Sequence, residues 1–318
     1  MLTRMAQIKL PPDVRGKSLL DYLSARFTYL SRDGWREAVL DGRVTLDGVP
    51  ATLDSVLSWN QILRYLPPER PEPPVRTDVA VLHDGPDYLV LDKPANLPCH
   101  PAGGFFRNTL WALLKEGAVP GVPPMESIHF ISRIDRETSG IVLVARNPQF
   151  AARASRTIHS PQTEKRYRVL VHGRFPETVS ARGWLHRDTH SAVEKKRAFS
   201  WERPDGLPAE TAFTEFTRIR QFDDLTEIEA LLHTGRFHQI RATLCSLGFP
   251  VLGDKIYGLD ETIYLRFSRQ ALTEEDARRL RIPRQALHAF SLRFDNRLFT
   301  APLPADIPFF HASPVVKS

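Results

Sequence analysis

The sequence predicts an α+β protein of two domains, a small one over about residues 1–66 and a large one over about 78–318, joined by a linker over 67–77. Three observations predict this. Five prolines fall within Pro67 to Pro74, a run that disfavours helix and sheet and favours an extended spacer. Before that run, apolar residues recur at helical spacing and are followed by paired Asp-Gly turns. After it, short buried-strand patterns alternate with capped helical stretches.

In the small domain Ser18 is placed to cap a first helix, with Asp21 three residues on as in a capping box. Leu20, Leu23 and Phe27 give that helix its apolar face. Ser31 is expected to cap a second helix running to about Leu40. Asp41-Gly42 and Asp47-Gly48 flank a short strand, Val44 to Leu46. In the large domain Tyr88 to Leu91 and Ile141 to Ala145 read as buried strands. Asn147-Pro148 is a cap followed by a first-turn proline, opening a helix with Phe150, Ala154 and Ile158 on one face. Arg166 to Val171 and Leu225 to Leu232 read as strands. A helix from His238 to Leu247 ends at Gly248, with Ile240, Thr243, Leu244 and Leu247 as its stripe.

Composition narrows the function. Hydrophobic residues make up 42% of the 318-residue chain, and 43 Lys and Arg against 37 Asp and Glu give a net charge of +6. A moderately basic balance fits a polyanionic partner such as RNA. The two cysteines, Cys99 and Cys245, form no CxxC pair, so neither a disulfide framework nor a cysteine zinc site is expected. His100, His129, His238 and His288 follow no metal-ligand spacing. Met1 to Leu10 is too short and too interrupted for a signal peptide, and no stretch has the apolar length of a membrane span. The expectation is a soluble, cytoplasmic protein with no metal, no cofactor and no membrane partner.

The most informative segment is Ser132-Arg133-Ile134-Asp135-Arg136-Glu137-Thr138-Ser139-Gly140, immediately before an apolar strand. Taken alone it is a carboxylate between arginines in a turn-rich loop. Cationic neighbours keep a carboxylate ionised, as a nucleophile or base must be. The same residues also describe an ordinary surface ion-pair loop. Three further segments change the balance. They are Leu91-Asp92-Lys93-Pro94 through His100-Pro101, Glu164-Lys165-Arg166-Tyr167-Arg168 through Gly173, and His233-Thr234-Gly235-Arg236-Phe237-His238-Gln239-Ile240-Arg241 continuing to Gly253-Asp254-Lys255-Ile256-Tyr257-Gly258.

With the Asp135 loop, and with Leu287-His288-Ala289 closing the series, these segments stand in the order and approximate spacing of the RluA-type pseudouridine synthases, which the chain resembles over about 79–294. The resemblance implies that family's fold, a mixed and mostly antiparallel sheet with flanking helices and an active-site cleft. It implies isomerisation of uridine to pseudouridine in structured RNA, without cofactor. By the same resemblance Asp135 matches the essential aspartate, Tyr167 the tyrosine that packs on the target base and has been assigned acid–base work, and Arg241 the arginine paired with the aspartate. Arg133 matches a loop arginine that helps displace the target nucleotide, and Arg236 a loop or phosphate contact. The route stays open: attack on the uracil ring, attack on the anomeric carbon, or removal of a sugar proton. Ser132, Ile134 and Asn96 depart from the family's usual His, Leu and Gly, which bears on loop packing and substrate choice.

The small domain, with Leu-Leu-Asp-Tyr-Leu at 19–23, Leu-Ser-Arg at 30–32 and Asp-Gly-Arg-Val-Thr-Leu-Asp-Gly at 41–48, resembles the αL RNA-binding domain named after a ribosomal protein. Its candidate RNA contacts are Arg32, Arg36 and Arg43, diluted by Asp33, Glu37 and Asp41. In the large domain Arg146, Arg153, Arg156, Lys165, Arg166 and Arg168 surround Tyr167 in sequence and are expected to face RNA, and Lys195-Lys196-Arg197 is a second basic run. Ribosomal RNA is the first expected substrate, transfer RNA the second, and a monomer with no protein partner is sufficient. Two other classes fit parts of the pattern: an inactive RNA-binding or assembly factor, and a carboxylate glycoside hydrolase, for which only Glu137 is at hand as a second acid.

Overall fold

The computed structural model of the chain describes residues 5–69 and 71–312. Residues 1–4 of the Met1–Leu10 stretch, Arg70 in the linker and residues 313–318 of the large domain lie outside the described residues. The chain divides into two compact units, Met1–Glu72 and Pro73–Ser318.

Unit 1 is a four-stranded antiparallel sheet with two helices. In chain order these are β1 (Ala6–Lys9), α1 (Leu19–Arg26), α2 (Arg32–Leu40), β2 (Val44–Leu46), β3 (Val49–Pro50) and β4 (Ile62–Tyr65), with spatial order β1-β4-β2-β3. Ser31 caps α2 as its sequence position predicts, its hydroxyl accepting a 3.1 Å bond from the Gly34 N–H. Ser18 occupies the cap position of α1 but its side chain makes no capping bond, so the expected capping box is absent. Asp21 instead accepts from Arg32 at 2.6 Å. Leu19 and Leu23 of α1 pack with Trp35, Val39, Val44 and Leu63 to fill this unit's own core.

Unit 2 carries β5 (Ala80–Asp84), β6 (Tyr88–Lys93), α3 (Leu110–Glu116), β7 (His129–Phe130), β8 (Ser139–Ala145), α4 (Pro148–Thr157), β9 (Glu164–His172), β10 (Thr178–Arg187), β11 (Arg197–Ser200), β12 (Ala209–Gln221), β13 (Leu225–Leu232), α5 (Gln239–Ser246), α6 (Thr262–Ser268), α7 (Glu274–Leu280), β14 (Leu287–Phe294) and β15 (Arg297–Thr300). They build an 11-stranded sheet of order β11-β10-β12-β13-β9-β14-β8-β6-β5, with β7 also on β8 and β15 also on β14. Every pairing is antiparallel except β14 with β8. The mixed, mostly antiparallel α+β architecture is the one expected. Asn147 caps α4 through a 2.8 Å bond from the Phe150 N–H, and Pro148 takes the first turn.

The parallel junction depends on one glycine. Gly140 has φ +108 and sits opposite Ala289, so closely that a Cβ there would lie 2.2 Å from the Ala289 carbonyl oxygen. Only glycine combines that dihedral with that approach. Gly140→Ala is therefore expected to destabilise unit 2 by ~2 kcal/mol or more and to part β8 from β14. Chemical denaturation with a probe in unit 2 measures it; an unchanged midpoint would refute it.

Candidate active site

The loop between β7 and β8 is fastened from several sides. Lys93, at the end of β6 and fully buried, donates to the carbonyls of Pro94 at 2.8 Å, Leu97 at 2.9 Å and Arg136 at 3.3 Å, tying the Pro94–Leu97 turn to the Asp135 loop. Burial pushes its ammonium down to about 8. The segment leading into β14 grips the other end: Gln285 donates to the Thr138 hydroxyl at 2.6 Å, Arg284 donates to the Glu137 carbonyl at 3.2 Å, and the Ser139 hydroxyl bonds His288 Nδ1 at 2.9 Å. Ser132, which departs from the family pattern, accepts a 2.9 Å bond from the Leu143 N–H and so closes the loop onto β8.

Asp135 projects from this loop with 28% of its side chain exposed, while its partner Arg241 is 5% exposed. Arg241 Nη1 donates to Asp135 Oδ2 at 2.7 Å. The same guanidinium is clamped by Asp254, with Nε to Oδ2 at 2.6 Å and Nη2 to Oδ1 at 2.8 Å. Asp254 Oδ1 also accepts from the N–H groups of Ile256 and Tyr257. A two-point fork of this kind fixes the plane of the guanidinium. Gln285 adds a 3.3 Å bond to Asp135 Oδ2. Desolvation would raise the Asp135 carboxyl, but the Arg241 charge and the bonds from Arg241 and Gln285 outweigh it and hold the group below its ordinary value.

His238 Nε2 stands 3.8 Å from Asp135 Oδ1, and its Nδ1 bonds the Tyr257 hydroxyl at 2.9 Å. Its backbone adopts φ +57, just before α5. Burial and the Arg241 charge press the imidazole down to about 3, so it is neutral at neutral pH and Arg241 is the charge partner of the aspartate. Tyr167, on β9, is half-buried between two apolar clusters. Desolvation and the nearby Asp135 charge raise its phenol, so the hydroxyl stays protonated. Asp254, Gln285 and His238 received no catalytic role at the level of sequence. The first pairs with Arg241 across thirteen residues, a contact no local spacing reveals.

The expected RNA-contacting arginines divide. Arg133 is exposed at the loop surface, with no carboxylate partner among the described residues. Arg236 donates to the Thr211 carbonyl at 3.2 Å and pairs with Glu210 at 3.2 Å, which makes it a loop-building residue. Arg166 requires correction: its guanidinium is taken up by Glu229 at 2.5 Å and Glu164 at 2.9 Å. Arg168 pairs with buried Glu227, and Arg146 with Asp84. Strand residues alternate, so Arg166 and Arg168 point away from the side that Tyr167 faces. Lys165 is buried, leaving only Arg153 and Arg156 of that cluster exposed without carboxylate partners among the described residues. Of the second run, Lys196 pairs with Glu261 at 2.7 Å, while Lys195 and Arg197 lie over Tyr264 and Phe237.

In unit 1, Arg32 is paired with Asp21 and Arg43 with Asp41, both at 2.6 Å. Arg36 is exposed and has no carboxylate partner among the described residues. Glu137, the spare acid of the glycosidase alternative, is committed to Lys255, which reaches both its oxygens at 2.9 Å. No cluster of three or more His, Cys, Asp or Glu side chains placed to hold a metal ion occurs among the described residues.

Comparison with known proteins agrees with this arrangement. Residues 87–246 match the family described as RNA pseudouridylate synthase. An RNA pseudouridine synthase of Chloroflexus aurantiacus is 32% identical over 315 residues, covering 94% of this chain and 90% of that protein. The tRNA pseudouridine(31) synthase of Saccharomyces cerevisiae is 30% identical over 281 residues, 76% of this chain and 67% of that protein. Among solved structures, human RNA Pseudouridylate Synthase Domain Containing 4 shares the fold at a TM-score of 0.56 and 21% identity, over 74% of this chain and 94% of that one. The chain belongs to the RNA pseudouridylate synthase family, of the RluA type, and is an isomerase that converts uridine to pseudouridine in RNA.

Proposed function

We propose that Asp135 is the catalytic carboxylate, with Arg241 as its charge partner and orienter and Tyr167 as the wall against which the uracil ring packs. The observation that carries this reading is the chain Asp254–Arg241–Asp135, in which a buried guanidinium is locked by one carboxylate and offered to another that solvent reaches. The reaction breaks the bond from the anomeric carbon to N1, turns the base, and forms the bond from the same carbon to C5. The hydrogen on C5 leaves and N1 gains a proton, so atoms balance without an outside reagent. Every route needs an ionised carboxylate held in place, and that state is favoured here through neutral pH. The raised phenol of Tyr167 suits it to stacking and to donating a hydrogen bond, and makes it a poor base. In this proposal Arg133 fills the space a displaced uridine leaves, a role supported by its exposure on the same loop.

The proposed substrate is structured RNA, ribosomal RNA first. Its support is unit 1, a compact module of its own with Arg36 exposed, and the basic balance of the chain. Transfer RNA is the second reading, supported by the activity named for the yeast relative. The test is release of tritium from carbon 5 of uracil in labelled ribosomal and transfer RNA. Release from ribosomal RNA at the higher kcat/KM is the expected result. Higher kcat/KM on transfer RNA would transfer the proposal to that substrate, and release from neither would overturn both.

The site's electrostatics also fix a pH response. Because the folded-state carboxyl of Asp135 lies below its ordinary value, kcat/KM is expected to stay flat from neutral pH down past the usual aspartate value of about 4. A pH profile with an acid limb above that value would contradict the pairing.

A further inference from the structure

A second built surface lies on the outer face of β10 and β12. Trp184 stands opposite Thr211 and Arg182 opposite Phe213 in that ladder, so their side chains share one face. Trp201, just past β11, is 56% exposed, and Trp184 is half-buried. Together they border a cavity of about 400 Å³ whose remaining wall includes Thr234. Guanidinium groups lie over these rings, Arg182 at 4.4 Å from the centroid of Phe213 and Arg203 at 5.3 Å from that of Trp184. Neither arginine has a carboxylate partner among the described residues. Like Arg133, Arg153 and Arg156 elsewhere in this unit, both are left without an acid, and here they lie over aromatic rings, Phe213 and Trp184.

We infer that this cavity is an accessory RNA subsite that stacks an unpaired base of the substrate strand between Trp184 and Trp201, with Arg182 and Arg203 meeting its phosphates. Three features carry the inference. Exposed aromatic faces offer every base a stacking surface, whatever its identity. Unpaired guanidinium groups at the rim supply the charge that a polyanion needs, and an apolar protein partner would leave both stranded. The cavity also shares its wall with the catalytic segment. The Thr234 hydroxyl accepts from the Phe213 N–H at 3.0 Å and donates to the Gln239 side chain at 2.8 Å, at the start of the helix that carries Arg241. Arg236 of the same segment bonds the Thr211 carbonyl. Thr234 and Arg236 thus connect the wall of the cavity to the start of α5, the helix that carries Arg241. The position of the subsite relative to chemistry rests on the reading of Asp135; RNA binding at the cavity does not.

Fluorescence anisotropy of the whole protein with a labelled single-stranded oligouridylate of about twelve nucleotides tests this. Trp201→Ala and Trp184→Ala are each expected to weaken binding about tenfold, with Trp201→Phe retaining most of it. In tritium release, KM should rise in the alanine variants while kcat at saturating RNA is kept. Asp135→Asn should bind the oligonucleotide like wild type, so failure of the subsite and failure of the catalytic assignment give different patterns. Should Trp184→Ala unfold, Trp201→Ala and Arg203→Ala, both at exposed side chains, decide the matter. Unchanged affinity in folded Trp201→Ala and Arg203→Ala would overturn the inference and leave the face to a protein partner. A fall in kcat with unchanged affinity would overturn it too, as a mark of a purely structural cavity.

Discussion

Asp135→Asn is expected to abolish release of tritium from uracil-labelled RNA, a loss of about 10⁴-fold or more, while affinity for RNA stays within about twofold of wild type. Asparagine keeps the shape of the side chain and can still meet Arg241, so the loop held by Lys93, Gln285 and Arg284 should remain folded. What disappears is the negative charge, and with it both nucleophilicity and basicity. The pairing in the structure makes the expectation sharp, because the neighbouring acids among the described residues are engaged: Glu137 is held by Lys255 and Asp254 by Arg241. Release by the asparagine variant equal to wild type would remove Asp135 from the reaction. A parallel loss of RNA affinity would reassign it to binding.

Arg241→Met should be nearly as damaging, for two separable reasons. It removes the cation that holds Asp135 ionised, so desolvation acts unopposed and the carboxyl rises. The acid limb of kcat/KM should then move upward in pH, the direction set by loss of a group that had been lowering the pKa. It also strands Asp254, whose side chain is fully buried, without its charge partner. Removing one member of a buried pair costs about 3–5 kcal/mol. Arg241→Met/Asp254→Asn should therefore recover much of the lost stability without recovering activity. Thermal unfolding and initial rates on the same preparations read the two effects apart. A double variant no more stable than the single one would show that Asp254 is not the reason Arg241 is needed.

Much of this was legible in the sequence, and what was missed has definite physical causes. The caps of α2 and α4 and the strands on either side of the site could be read because their signals are local, a cap oxygen or an apolar run, whereas the Asp135 loop gained its role only from the family resemblance of several segments far apart in sequence. Arg241 could be placed on α5 but was expected beside the apolar stripe, not inside it. Its burial depends on Asp254, which reaches it by tertiary folding. Arg166 shows the opposite error. Charges close in sequence to Tyr167 do not share its surroundings, because one residue along a strand means the other side of the sheet. Most of β10 and β12 went unread because their outer faces mix Arg, Glu and Thr with aromatic residues, which hides the alternation that marks a strand.

The position of β14 has a consequence for biosynthesis. It is inserted between β9 and β8, the one place where two antiparallel halves of the sheet meet, and it joins residues of the 130s to residues of the 280s. Until the ribosome has extruded that segment, the halves have no shared edge, and the aspartate loop lacks Gln285 and Arg284. A nascent chain therefore holds its reactive carboxylate unassembled until that segment has emerged, and acquires competence for chemistry in one closing step.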